Sequence, residues 1–440
     1  MEDIGAIVRA TARPASDQND PRMWTWVEAT VWSDRMLAAL GNGVRGGKWH
    51  SLIDKVYAPQ TLWAAWRRVA ANKGAAGIDR VSIERFSVNA DHYLKALGQE
   101  LRNGSYAPTP IRRVHIPKGK GKTRPLGIAT VKDRIVQGAL KLVIEPIFEK
   151  DFLHASFGFR PERSCKDALR VVDQSLKDGY TWVVDADLKS YFDTIPKHRL
   201  LELVKERIND PNVLKLLQQF LDQEVIEGMK RWTPVSGTPQ GSGLSPLLAN
   251  LYLHGLDEIL SDGPHRYARF ADDFVVMCRT REEADKVLTD IQDWVNRQEL
   301  MLHPDKTHVG NCAVKGQGFE FLGYRFEAGR RWVRPKSLKA LRDKVRSLTK
   351  RTRSGSLDTI IRELNRTLRG WFGYFKHANR STFRAVDGFV RRRLRAVLRK
   401  REKRPGFGRT ASDHKRWPNA FFAKQRLFTL HEAYAFASQS

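Results

Sequence analysis

Apolar residues recur three and four apart over residues 60–68 and 92–102, the spacing of helices that each bury one face. Between them Asn72-Lys73-Gly74-Ala75-Ala76-Gly77-Ile78-Asp79 interrupts the pattern as a Gly-rich loop. Strand patterning takes over at residues 112–116 and near 125–128, on either side of a Gly/Lys turn. Helical spacing returns over 131–148 and 166–177. The apolar run 181–187 predicts a buried strand. Helices follow over 196–220, then a hairpin around Asp272-Asp273, a helix over 282–299 and a hairpin over 319–333. Beyond Pro335 the pattern is helical throughout. The order predicts an α+β portion to about residue 334 and an α-helical module after it, with no internal repeat. Residues 1–55, with Trp24, Trp26 and Trp32, are expected to form a helix packed on the body, with part of the segment disordered.

At 440 residues the prior is two or three domains. An apolar content of 41% is ample for folded cores. The net charge of +28 exceeds what solubility requires and points to a polyanionic partner. It is unevenly spread: residues 335–426 hold 28 Lys/Arg against 6 Asp/Glu. Trp, Tyr and Phe interleave this basic stretch, which suits nucleic acid at least as well as a membrane surface. Cys165, Cys278 and Cys312 are far apart and form no Cys-x-x-Cys, so neither a disulfide framework nor a structural zinc site is supported. The start of the chain lacks the pattern of a signal peptide, and no apolar run reaches membrane-span length.

The run Arg269-Phe270-Ala271-Asp272-Asp273-Phe274-Val275-Val276 sets two carboxylates between strand-favouring residues, as at a tight hairpin tip. Adjacent carboxylates repel unless a divalent cation neutralises them. A second strand, Trp182-Val183-Val184-Asp185-Ala186-Asp187, ends in a carboxylate that can meet this pair or cap the following helix. If the three converge, they can hold two Mg²⁺ ions roughly 4 Å apart for in-line phosphoryl transfer. The loop Ile116-Pro117-Lys118-Gly119-Lys120-Gly121-Lys122-Thr123-Arg124-Pro125 either contacts phosphate through its backbone and cations or is a solvated turn. It does not fit the phosphate-loop pattern. Thr238-Pro239-Gln240-Gly241-Ser242-Gly243 precedes an apolar helix and reads as a phosphate- or base-pair-contacting turn or as a plain one.

These pieces stand in an order that resembles the reverse transcriptase/maturase proteins encoded by bacterial group II introns. The resemblance runs from about Tyr57 to the C-terminus. It takes in Gly77-Ile78-Asp79, Asp133-Arg134-Ile135-Val136-Gln137, Phe157-Gly158-Phe159-Arg160-Pro161, His303-Pro304-Asp305-Lys306-Thr307 and Phe321-Leu322-Gly323-Tyr324 as well as the segments above. It implies a right-hand polymerase, with fingers and palm over 56–334, a helical thumb/maturase domain over 335–403, and a vestigial DNA-binding segment over 404–440. Asp187, Asp272 and Asp273, with the Leu188 carbonyl, are then expected to bind two Mg²⁺ ions. Lys118 and Arg124 are expected on the phosphates of a deoxynucleoside triphosphate. Phe192, or its neighbour Tyr191, is expected under the sugar as the group excluding a 2′-hydroxyl. Gln240 and Gly241 border the nascent pair, and Lys306 is a candidate proton donor to pyrophosphate. The family usually carries Tyr where this chain has Phe270, which removes a hydroxyl and keeps the ring.

The basic end resembles the maturase region. Gly370-Trp371-Phe372-Gly373-Tyr374-Phe375 is expected to be core more than a stacking platform. Arg391, Arg392, Arg393, Arg395, Arg399 and Lys400 are expected on RNA backbone. No cysteine follows Cys312, so no endonuclease domain is expected. The resemblance implies an RNA-directed DNA polymerase that binds its intron RNA to promote splicing and copies it during retrohoming into a DNA target. Its RNA template and DNA primer would be met in the bacterial cytoplasm, at the nucleoid when on DNA. Two rivals stand beside it: a related enzyme with a diversity-generating or defence role, and an RNA chaperone for splicing without polymerase activity.

Overall fold

The computed structural model describes residues 24–119 and 122–437, without the side chains of residues 45, 118 and 122. The chain forms two compact units, Met1–Val309 and Gly310–Ser440.

The first unit begins with α1 (Pro59–Ala71), α2 (Ala90–Arg102), the hairpin β1 (Ile111–Gly119) and β2 (Lys122–Ile128), α3 (Val131–Glu149), α4 (Cys165–Lys177) and β3 (Trp182–Asp187). It continues through α5 (Lys197–Lys205), α6 (Pro211–Leu221), β4 (Val225–Glu227), β5 (Lys230–Trp232), α7 (Ser245–Tyr252) and α8 (His254–Ser261). The hairpin β6 (Arg266–Phe270) and β7 (Asp273–Cys278), α9 (Arg281–Arg297) and β8 (His308–Asn311) follow. The helix α3 is apolar on nearly all faces and lies in the core, as that composition requires. Residues 24–55 belong to the same unit: the Trp32 indole donates to the Leu142 carbonyl at 3.0 Å, and Trp49 bridges Ile208 in parallel. The rest of the 1–55 segment lies outside the described residues.

The helical run expected over 196–220 is two helices. Asn209-Asp210-Pro211 breaks it: Asp210 caps α6 through Asn212 and Val213, and Pro211 opens the helix. The other Asp210 oxygen accepts from the amides of Leu52 and Ile53, so the break also ties down the N-terminal segment. The short β4–β5 hairpin turns at Gly228, whose φ is +59°; three-residue strands leave too little alternation to detect.

Two sheets form the first unit. One has the order β2-β1-β4-β5; the other has the order β6-β7-β3-β8. In the second, β7 runs antiparallel to both neighbours, and α9 packs on β3 and β7. The interior of β7 is fully buried from Phe274 to Cys278. Apolar side chains thus fix the strands, while the carboxylates stand at the strand ends.

The second unit holds the sheet β11-β10-β9, built from β9 (Phe319–Phe321), β10 (Tyr324–Glu327) and β11 (Arg330–Val333). Helices α10 (Pro335–Leu348), α11 (Leu357–Phe375), α12 (Arg380–Arg401), α13 (Ala411–Arg416), α14 (Asn419–Lys424) and α15 (Leu430–Ala437) follow. The sheet packs on these helices: the Tyr324 hydroxyl donates to the Tyr374 carbonyl, and the Tyr374 hydroxyl to the Leu322 carbonyl, each at 2.7 Å. Trp371 and Phe372 pack against Phe375 and Phe383 inside this unit. Cys165, Cys278 and Cys312 form no disulfide among the described residues. No described helix is long and apolar enough to cross a membrane.

Candidate active site

The register of the second sheet sets Asp187, the last residue of β3, opposite Asp273, the first of β7. Phe270 pairs with Asp273, so Ala271 and Asp272 alone form the hairpin tip. Opposed antiparallel residues have Cα atoms about 4.5–5.5 Å apart and project to one face. With consecutive Cα atoms about 3.8 Å apart, Asp272 lies at most about 9 Å from Asp187, Cα to Cα. The three aspartates therefore stand at the same end of the sheet. Among the described residues no three His, Cys, Asp or Glu side chains are already posed as a metal cage. Instead the Lys306 ammonium sits 2.6 Å from Asp187 Oδ2. A cation thus already stands against the carboxylate, and hard oxygen donors of this kind suit Mg²⁺.

A short bridge pairs Leu188 with Leu302. It is closed by the Lys189 amide donating to Met301 and the His303 amide donating to Asp187. Neither of these two bonds uses the Leu188 carbonyl. The same bridge fixes the segment that carries Lys306.

Behind the hairpin lies a network that sequence reasoning missed. Arg269 and Asp257 are both completely buried and paired side-on, with Arg269 Nε and Nη2 donating to the two Asp257 oxygens. Arg269 also donates to the Ala271 carbonyl and to Asn250 Oδ1, each at 3.0 Å. Asn250 in turn donates to the Gly158 carbonyl at 2.7 Å. Gly158 lies so close that a Cβ would come 2.3 Å from the Ala271 nitrogen. Ala271 itself holds a φ of +59°. The one sequence signal was an arginine inside an apolar strand, which must be paired if buried.

Phe192 lines a cavity of about 270 Å³ with Asp193, Gln240, Gly127 and Arg113. The Gln240 amide donates to both oxygens of Asp193, at 3.2 and 3.1 Å. Gly237 (φ +87°) lets this loop lie on the backbone of residues 192–195, where the Thr238 amide donates to Phe192. Gly241 (φ +106°) approaches the Gly127 carbonyl to a distance no Cβ would tolerate. Gln137 and Asp133 brace the same region: Gln137 accepts from the Gly243 amide, and buried Asp133 accepts from the Tyr106 hydroxyl. Asp193 and Arg113 were not foreseen, because their partners lie on distant segments.

Arg124 is exposed on β2, opposite Ile116, and so on the other face of the hairpin from Arg113, Pro125 and Gly127. The side chain of Lys118 lies outside the described residues. In the second unit, three arginines expected on RNA bond their own chain instead. Arg393 donates to the Thr349 hydroxyl and carbonyl, and Arg395 is buried against the Trp417 carbonyl and Asn419. Arg399 holds the Pro405 carbonyl and Asp413. These three act as internal ties, since loop carbonyls near α12 need donors. Arg391, Arg392 and Lys400 donate no hydrogen bond among the described residues.

Residues 116–326 match the family described as reverse transcriptase (RNA-dependent DNA polymerase). Residues 338–417 match the group II intron, maturase-specific domain. Protein YkfC of Escherichia coli is 35% identical over 316 residues, covering 62% of this chain and 82% of that protein. Group II intron-encoded protein LtrA of Lactococcus lactis subsp. cremoris is 38% identical over 205 residues, covering 46% of this chain. That alignment spans 34% of LtrA, about a third of its length. A solved partial Cas6-RT-Cas1–Cas2 complex is 23% identical over 56% of this chain and 42% of that one, with a TM-score of 0.37.

Proposed function

The chain belongs to the reverse transcriptases that carry a group II intron maturase-specific domain, and from that premise we propose that it extends a DNA primer on an RNA template and binds its intron RNA for splicing. The observation that carries the polymerase reading is the register of Asp187 against Asp273, with Asp272 at the adjoining tip.

Asp187, Asp272 and Asp273, with the Leu188 carbonyl, are the donors that would hold two Mg²⁺ ions, which when bound activate a primer 3′-hydroxyl and neutralise the leaving pyrophosphate. Lys306 pairs with Asp187 in the resting site and, once released, serves in this reading as the proton donor to the departing pyrophosphate. Lys118 and Arg124, on a hairpin rich in cations, meet the triphosphate. Phe192 supports the sugar and rejects a 2′-hydroxyl. Gln240 and Gly241 border the new base pair, and Asp193 orients the Gln240 amide. Arg391, Arg392 and Lys400 carry the RNA contact of the second unit. Retrohoming into a DNA target, in the cytoplasm beside the chromosome, belongs to the same reading. The matched maturase domain separates this chain from a diversity-generating or defence enzyme.

Primer extension on an RNA template with deoxynucleotides and Mg²⁺ tests it. Asp272→Ala and Asp187→Asn are expected to lower the rate about 10³-fold while leaving RNA binding in place. Equal extension by wild type and Asp272→Ala would overturn the catalytic assignment. RNA binding without extension by wild type would leave a splicing chaperone.

A further inference from the structure

A cavity of about 350 Å³ lies in the second unit between α12 and the segment that follows it. Gly388, Arg391, Arg392, Arg395, Arg409 and His414 are among its lining residues, and no carboxylate lines it. The nearby acids are committed elsewhere. Asp387 accepts from the amides of Leu430 and His431, and Asp413 from Thr410 and Arg399. The four arginines divide into a wall and a set of open donors. Arg395 is fixed to Trp417 and Asn419. Arg391, Arg392 and Arg409 donate no hydrogen bond within the chain among the described residues, although each guanidinium has five N–H groups. Arg392 lies 5.2 Å over the Phe389 ring, which orients its plane. Burial, then the like charges of Arg409 and Arg346, hold the Arg392 guanidinium below its usual range.

Two glycines shape the cavity in opposite ways. Gly408 has a φ of +72°, and a Cβ there would come 2.7 Å from the Ala396 nitrogen, so glycine lets the loop close on α12. Gly388 is mid-helix, where glycine costs about 1 kcal/mol relative to alanine. A Cβ at Gly388 would meet nothing within 4 Å. No packing requires this glycine, and a longer side chain there would extend into open space beside the arginines.

We propose that this cavity is a binding site for a backbone phosphate of RNA, with Arg391, Arg392 and Arg409 as the groups that hold it. Guanidiniums with unused N–H forks match phosphate oxygens in geometry and in charge. The site rests on the maturase reading above, since residues 388–414 fall inside the matched maturase-specific domain. It also gives the segment after residue 403 a part in RNA binding, where sequence had suggested a vestigial DNA-binding region.

The test uses the full chain with Gly388→Glu, Gly388→Ala and Arg409→Gln. The probes are a labelled RNA hairpin, the DNA hairpin of the same sequence, and inorganic phosphate, over a range of KCl. Gly388→Glu places a carboxylate in the cavity; Gly388→Ala leaves it open and reports on the helix alone. Gly388→Glu and Arg409→Gln are expected to weaken RNA binding about tenfold. Arg409→Gln should reduce the slope of log K against log salt by about 1. Gly388→Ala should bind as wild type with a Tm at least as high. If wild type does not hold the RNA hairpin, the maturase reading fails. If wild type holds it and both variants match it in affinity and slope at unchanged Tm, the phosphate site alone fails. Equal wild-type affinity and equal losses on the DNA hairpin would overturn the assignment to RNA. A Tm rise with inorganic phosphate that Gly388→Glu abolishes, with RNA affinity intact, would assign a free phosphate instead.

Discussion

Tyr191 and Phe192 are adjacent aromatic residues with different surroundings. The Tyr191 ring is 2% exposed, and its hydroxyl donates to the Ala249 carbonyl at 2.6 Å. Burial pushes that hydroxyl well above the usual phenol range. Phe192 is half-buried and faces the cavity that Gln240 borders. Of the two rings, only Phe192 lines that cavity. Phe192→Ala is expected to raise kcat/KM for ribonucleotides relative to deoxynucleotides about 10- to 100-fold in single-nucleotide incorporation. Tyr191→Phe should leave that ratio unchanged and cost about 1 kcal/mol of stability. A ratio that follows Tyr191 would reverse the two roles. The sequence could not separate these rings, because the difference comes from α7, 58 residues away.

The β6–β7 hairpin carries the proposed metal-binding aspartates at its tip, and its back is locked by the Arg269–Asp257 pair. Gly158→Ala drives a Cβ against the Ala271 nitrogen, so the tip must move. Displacing reacting groups by about 1 Å costs about 10²-fold in rate. Primer extension by Gly158→Ala is therefore expected to fall by that order, with RNA affinity preserved; a rate within twofold of wild type would show that the tip tolerates the shift. The strands and their aspartates are legible in sequence, because apolar runs that end in carboxylates are local signals. The lock is not: Arg269 reaches Asp257 and Asn250, 12 and 19 residues back, and Asn250 reaches Gly158 across 92. No periodicity encodes such pairings. In the second unit, Asp413 caps α13 in a capping box with Thr410. Burial opposes its charge, but the Thr410 hydroxyl and amide and the Arg399 guanidinium outweigh burial and hold the carboxyl below its usual range. A depressed folded pKa gives stability that is complete above about pH 4 and is lost as pH falls through the folded value. Asp413→Asn should cost about 1–2 kcal/mol at neutral pH. In melts across pH, the gap to wild type should shrink below about pH 4; a gap constant to pH 2 would mean the charge is not what stabilises the cap.

Across the whole molecule the positive charge is concentrated: 28 Lys/Arg stand against 6 Asp/Glu over residues 335–426. Composition alone makes this a uniform adhesive for polyanions, and the structure divides it. Arg393, Arg395 and Arg399 supply donors to loop carbonyls and side chains of their own unit. Arg391, Arg392 and Arg409 surround an open cavity. Counterion release separates the two classes, since each phosphate neutralised adds about 0.7–0.9 to the slope of log K against log salt. Replacing Arg391, Arg392 and Arg409 together by Gln is expected to lower that slope by about 2 and weaken RNA binding at fixed KCl by about 10²-fold, with Tm retained. Arg395→Gln leaves the buried Trp417 carbonyl without its donor, so it should cost about 1–3 kcal/mol of stability and leave the slope of the folded fraction unchanged. Filter binding across KCl, read beside thermal melts, measures both quantities on the same variants. If Arg395→Gln flattens the slope as strongly as the cavity substitutions do per charge removed, guanidinium position is irrelevant and the basic surface acts only through its total charge.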